Sequence, residues 1–271
     1  MSDKVVQIQS SPKRNLKDEN EDQTIAKILS RIKHKILVMS GKGGVGKSTV
    51  AVHLALSLAR KGRKVGLLDV DLHGPSVPRM LGLDASLPGG AKPRAIIHSP
   101  NLSVVSIEPL MPDKDRSIIW RGPIKIGVIR QFISGIDWKD LDYLVIDSPP
   151  GTGDEPLTVA QTIPDAHVLL VTTPQEVALA DVRKSLDFCW QVELPILGLV
   201  ENMSGMVCPH CHEKIEFFSS GGGQSMAEGY RIPFLGQIPF DPQIVRASES
   251  GKPFLKPYEE LTNAILERME G

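Results

Sequence analysis

The chain has 271 residues, in which 31 Lys and Arg nearly balance 32 Asp and Glu, for a net charge of −1. That length buries a substantial core in one α/β domain, and the even charge balance excludes the basic field that nucleic-acid binding needs. No apolar run reaches the ~18 residues of a membrane span. The three cysteines are too few for a disulfide framework. With no apolar signal core at its start, the chain is expected to be cytoplasmic.

In chain order, residues 1–22 are polar, charged and aperiodic, and are expected to form a disordered tail. Residues 23–271 are expected to form one domain, entered through a short helix over Thr24–Ile32. From Lys35 a short aliphatic run reads as a buried parallel strand. Helical spacing follows from Ser48 to Lys61, with Val52, Leu54, Ala55, Leu58 and Ala59 on one face. Between them lies Gly41-Lys42-Gly43-Gly44-Val45-Gly46-Lys47-Ser48-Thr49, the G-x-x-x-x-G-K-[ST] pattern. Its glycines turn backbone N–H groups onto an anion, and the helix N-terminus adds positive charge. Lys47 is suited to β- and γ-phosphate oxygens and Ser48 to Mg²⁺. With Lys42 the loop resembles the deviant P-loop class, in which the extra lysine reaches a nucleotide held by a partner subunit.

Lys64–Asp69 reads as the second strand, ending in Asp69 and Asp71 at the edge where open α/β sheets bind ligands. One acid suits the Mg²⁺ shell and the other the attacking water; the class resemblance gives Asp71 the water. Residues 82–100 carry no pattern and are expected to be a loop. Leu102–Ile107 reads as a strand and Trp120 opens a helix through Ile133. Leu141–Asp147 is a buried strand ending in an acid, the Walker B pattern that places Asp147 at Mg²⁺. After it comes Ser148-Pro-Pro-Gly-Thr-Gly-Asp, a stiff turn whose Gly151 N–H is suited to sense a γ-phosphate.

Further strands are expected at Ala166–Thr172, Pro195–Glu201 and Pro233–Ile238, with helices at Glu176–Val192 and Tyr258–Glu270 and another ending near Gly229. Cys189 lies among apolar helix neighbours and reads as packing. Asn202, at a strand end, is placed to touch a base, with Pro239 counted among the nucleotide contacts. A guanine reader would want an acid three residues on, and Gly205 stands there, so adenine is expected. Cys208-Pro-His-Cys211 suits soft-metal ligation or redox exchange. Exchange wants a helix after the first cysteine, whereas Lys214–Phe218 reads as extended. A closed site takes four ligands, and the simplest count is two cysteines from each of two chains.

Together these residues resemble the Mrp/ApbC group of iron–sulfur cluster carrier ATPases over about Lys35–Pro253. The resemblance rests on Gly41–Thr49, Asp69–Met80, Trp120–Pro123, Asp147–Asp154, Asn202–Cys211 and Gly236–Pro253. It implies a doubly wound, mainly parallel sheet flanked by helices, with slow Mg²⁺-dependent ATP hydrolysis. It also implies a cytosolic homodimer that holds a labile [4Fe–4S] cluster on Cys208 and Cys211 of two subunits and delivers it to apo iron–sulfur proteins. No membrane or nucleic-acid partner is implied. Two other readings stay open: a MinD/ParA-like positioning ATPase, and a dimer whose cysteines hold structural zinc.

Overall fold

The structure is a computed structural model that describes residues 16–71, 74–83, 95–106, 122–208, 210–216, 221–252 and 254–271. Apolar strands alternating with amphipathic helices build one eight-stranded sheet. In chain order its strands are β1 (Ile32–Met39), β2 (Val65–Asp69), β3 (Ile96–Ser99), β4 (Leu102–Val105), β5 (Leu141–Asp147), β6 (His167–Thr172), β7 (Ile196–Asn202) and β10 (Phe234–Ile238). Between the last two, β8 (Met206–Val207) and β9 (Lys214–Ile215) form a separate hairpin. The spatial order is β10-β7-β6-β1-β5-β2-β4-β3. Every neighbouring pair is parallel except β3 with β4.

The helices are α1 (Leu16–Leu29), α2 (Lys47–Arg60), α3 (Val77–Met80), α4 (Gly122–Ser134), α5 (Asp154–Thr162), α6 (Glu176–Gln191), α7 (Gly222–Tyr230), α8 (Pro242–Glu249) and α9 (Glu259–Glu270). Period-two alternation sends Leu37 and Met39 of β1 into one core layer, with α1, α4, α5, α6 and α7. It sends Ile36 and Val38 into the other, with α2, α3, α8 and α9. Because β1, β2, β5, β7 and β10 run the same way, their carboxyl ends meet along one edge.

Three expectations need correction. Helix α1 begins at Leu16 rather than Thr24, so residues 16–22 are helical and not tail; residues 1–15 lie outside the described residues. Tertiary contacts stabilise it: Ile25 and Leu29 enter the core, and Arg130 of α4 holds Glu21 at 3.1 Å and Asp22 at 2.6 Å. The stretch 82–100 is not all loop, since Ile96–Ser99 forms the antiparallel edge strand; residues 84–94 are outside the description. The strand expected to reach Ile107 ends at Val105. Helices α5 and α8 carry no expectation from periodicity, although Asp241 before Pro242 is a sound helix start, and the Asp241 carboxylate accepts from Gln243 N–H at 2.8 Å. The Trp120-Arg121 part of the third motif is outside the described residues.

Candidate nucleotide and thiol site

The P-loop leaves β1 at Ser40 and returns as α2. Gly44 and Gly46 both sit at φ +82°, the left-handed region that glycine occupies without strain, and this turns the loop's N–H groups inward. A β-carbon on Gly41 would meet the Asp181 backbone of α6 at 2.3 Å, so only glycine allows α6 to pack this close. Val45 is buried and anchors the loop. Lys42 is half-buried, and its side chain has no partner among the described residues.

Lys47 and Asp147 are both buried and form an ion pair, Nζ to Oδ1. Lys47 Nζ also donates to Ser48 Oγ at 3.3 Å. Asp147 Oδ2, although buried, has no hydrogen-bond partner among the described residues. Burial pushes the Asp147 carboxyl above its usual range, while the Lys47 ammonium and the Ser48 hydroxyl pull the other way. Its register partner Asp69 is also fully buried and pushed well up, first by burial and then by the Asp147 charge. Ser106 Oγ donates to Asp69 Oδ2 at 3.1 Å. An unpartnered carboxylate oxygen beside a P-loop hydroxyl fits a Mg²⁺ shell.

Asp71 and Asp69 do not project alike. Asp69 is enclosed by the sheet, whereas Asp71 is half-buried just past it, where its N–H donates to Asp69 Oδ1 at 3.1 Å. Gly74 N–H donates to Asp71 Oδ1 at 3.2 Å. The Asp71 charge is close enough to bear on both Asp69 and Asp147. Gly151 has φ +88°, and its N–H donates to Ser40 O at 2.8 Å, so sensing a γ-phosphate requires that bond to open.

Asn202 is buried at the end of β7, and its amide donates to Val45 O at 2.9 Å, which ties β7 to the P-loop. A cleft of about 230 Å³ beside it is lined by Thr49, Asn202, Met203, Pro239, Phe240 and Tyr258. The cleft has the size and apolarity of a nucleobase site, and Thr49, Asn202 and Pro239 all line it.

The cysteine turn caps the β8–β9 hairpin. Cys208 N–H donates to Glu213 O at 2.9 Å and His212 N–H to Cys208 O at 3.0 Å. The backbone N–H groups of Cys211 and His210 face the Cys208 sulfur and hold its pKa below the ordinary thiol range. Cys208 is half-buried and Cys211 exposed. Among the described residues no group of three or more His, Cys, Asp or Glu could hold a metal ion, so Cys208 and Cys211 are not part of a larger ligand set there. Cys189 lies in the core, where burial pushes its thiol up to about 12.

Sequence reasoning missed Glu201, a fully buried acid beside Asn202. It accepts from Ser204 Oγ at 2.6 Å, Gly223 N–H at 2.6 Å and Gln237 Nε2 at 2.9 Å, joining β7, the hairpin base, α7 and β10. Its signal was one charge in the otherwise apolar run Ile196–Asn202. His53 was missed as well. It stacks on Tyr258 at 4.2 Å and bonds Thr49 O through Nδ1 at 2.7 Å.

A phosphate loop, two buried acids at neighbouring strand ends and a base-sized cleft on one edge of a parallel sheet define a P-loop nucleoside triphosphatase. A family model, the NUBPL iron-transfer P-loop NTPase, matches residues 31–270, and the chain belongs to that family. It is 45% identical over 261 residues to an iron-sulfur cluster carrier protein of Methanocaldococcus jannaschii, covering 93% of this chain and 90% of the relative. It is 49% identical over 243 residues to the cytosolic Fe-S cluster assembly factor CFD1 of Saccharomyces cerevisiae, covering 86% and 83%. Among solved structures, a nucleotide-binding protein of Archaeoglobus fulgidus in complex with ADP superposes with a TM-score of 0.75 at 38% identity, covering 85% of this chain and 91% of that one. The cell division ATPase MinD of Pyrococcus furiosus superposes at 0.60 with 25% identity, covering 88% and 97%.

Proposed function

We propose that this protein is an ATP-hydrolysing carrier that holds an iron–sulfur cluster between two copies of itself and passes it to apo iron–sulfur proteins in the cytosol. The observation that carries this reading is the cysteine turn. Two thiols share one exposed hairpin tip, with the Cys208 thiol poised toward thiolate and no larger ligand set around them among the described residues. A [4Fe–4S] cluster takes four thiolates, which two hairpins supply. The names of the archaeal and yeast relatives support the cargo and the compartment, and the ADP in the Archaeoglobus structure supports adenine.

In this reading Lys47 leaves Asp147 for the β- and γ-phosphates, and Lys42 reaches across the dimer to the partner's nucleotide. Asn202 and Pro239 meet the base. Mg²⁺, when bound, would be held by Ser48 and the shell of Asp147 and would neutralise phosphate charge. Asp71, half-buried beside the two buried acids, orients the attacking water and receives its proton. Gly151 N–H exchanges Ser40 O for the γ-phosphate. Hydrolysis is slow because two loops must rearrange before chemistry.

Anaerobic reconstitution tests the assignment. The wild type should bind about four irons per dimer, Cys208→Ala or Cys211→Ala almost none, and Cys189→Ala the full amount. Full loading of a strictly monomeric protein, or of the Cys211 variant, would overturn it. A colourless protein with tightly bound zinc would instead favour a structural metal.

A further inference from the structure

We propose that Phe240, at the centre of the Pro239–Asp241 strap, is the positioning residue through which a nucleobase in the cleft sets the geometry of the cysteine turn. The inference deepens the proposed function and rests on its reading of the cleft as a nucleotide site.

Pro239, Phe240 and Asp241 line two separate cavities. One is the base cleft, with Thr49 and Asn202. The other, of about 480 Å³, lies on the far side of the strap and is lined by Val207, Cys208 and His212. The strap and the first turns of α8 are therefore one wall with two faces. Ile244, Val245 and Ser248 look toward the cleft, while Pro242, Gln243 and Arg246 look toward the cysteine.

Two backbone bonds reach the hairpin base, one from the last residue of β10 and one from the centre of the strap. Ser204 N–H donates to Ile238 O at 2.9 Å, and Phe240 N–H donates to Gly205 O at 2.8 Å. Between β7 and the hairpin the chain turns through two left-handed residues, Met203 at φ +58° and Gly205 at φ +71°. Glu201 also holds Ser204 Oγ to the end of β7 at 2.6 Å, so the hairpin pivots at Ser204 and follows the strap from Gly205 onward. The anchor on the other side is firm, because the Glu201 carboxylate locks the end of β7 to Gly223 and Gln237. A base that presses on Phe240 thus displaces the wall against a fixed β7, and the movement appears at Cys208.

The readout is thiol reactivity, which needs no iron. The full-length metal-free protein would be alkylated anaerobically with iodoacetamide, and modification of Cys208 followed by peptide mass spectrometry. The protein concentration would be one at which light scattering reports monomer. Saturating Mg²⁺–AMP-PNP should change the Cys208 rate by about fivefold or more. Inorganic tripolyphosphate, which fills the phosphate loop and leaves the base cleft empty, should not change it. Phe240→Ala, saturated with AMP-PNP as measured on that variant, should lose the response, and Phe240→Tyr should keep it. An unchanged wild-type rate, an equal response to tripolyphosphate, or a full response in Phe240→Ala would overturn the proposal. Should Phe240→Ala fail to fold, the comparison of AMP-PNP with tripolyphosphate on the wild type decides alone. Iron loading of the same preparations is scored separately, so loss of the carrier reading and loss of the strap are distinct results.

Discussion

At the scale of single residues, burial separates the three acids at the ends of β2 and β5. Asp147 and Asp69 are wholly enclosed, whereas Asp71 is half-buried just outside the sheet. Only Asp71 is placed to meet a water without desolvating it fully. Asp71→Asn keeps the size and the contact with Gly74 while removing the base. Turnover under saturating Mg²⁺-ATP should fall on the order of 10²-fold with the nucleotide Kd little changed; wild-type turnover would remove Asp71 from its role. His53 makes a second residue-scale case. Burial pushes its pKa down to about 4 from 6.5. As pH falls below 6.5 the unfolded chain takes up a proton that the folded chain refuses, so stability is lost progressively until about pH 4. The gap corresponds to roughly 3 kcal/mol. Urea unfolding of His53→Leu should therefore lose roughly 3 kcal/mol less than wild type between pH 7 and pH 4, whatever its stability at pH 7. Parallel curves for the two proteins would show that His53 is not the titrating group.

At the scale of elements, legibility in the sequence followed the strength of the periodic signal. Strands β1, β2, β5, β6 and β7 are aliphatic runs buried on both faces, and each was readable because nothing but a parallel core accommodates so little polarity. The acids that end β2 and β5 were readable for the same reason, as charges at the close of apolar runs. Helix α1 was not readable at its start, because Leu16–Leu29 holds several charges and its apolar residues are few. Its stability comes from a distant partner, Arg130 of α4, which no local window contains. Arg130→Ala should accordingly fray α1 while leaving the sheet intact. Amide exchange over residues 16–29 should speed up on the order of tenfold, with protection of β1 and β5 unchanged. Uniform loss of protection across the molecule would mean that α1 is part of the global folding unit instead. The hairpin was half legible: the extended stretch from Lys214 was readable and Lys214–Ile215 is a strand, but the hairpin's fastening to β10 is a long-range contact.

At the scale of the whole molecule, the nucleotide loop and the thiol turn lie on the same edge of one sheet, so a second copy brought to that edge meets both. The Lys42 side chain, on that edge, has no partner among the described residues. Lys42→Ala should weaken Mg²⁺-ATP-induced dimerisation by about tenfold or more while the monomer's affinity for ATP stays within a few fold. Light scattering across a concentration series, with and without nucleotide, checks this. Equal dimer populations in the two proteins would place Lys42 outside the interface. The base cleft itself was legible only in pieces. Thr49, Asn202 and Pro239 come from three distant segments, and their convergence depends on strand order, which no motif states.

The ion pair between Lys47 and Asp147 bears on how the protein can be handled. The Lys47 ammonium is a covalently attached cation set against one of two neighbouring buried carboxylates, so its charge partner there is built into the chain. A chelating buffer, ruinous to proteins whose divalent ion is architectural, should strip magnesium here and leave the fold standing. Nucleotide-free stocks can then be prepared in EDTA, frozen and recharged later. The same arrangement makes Lys47 a poor choice for an inactive control. Its replacement by a neutral residue removes the built-in counter-ion of the core, and a lost activity could then be a lost fold.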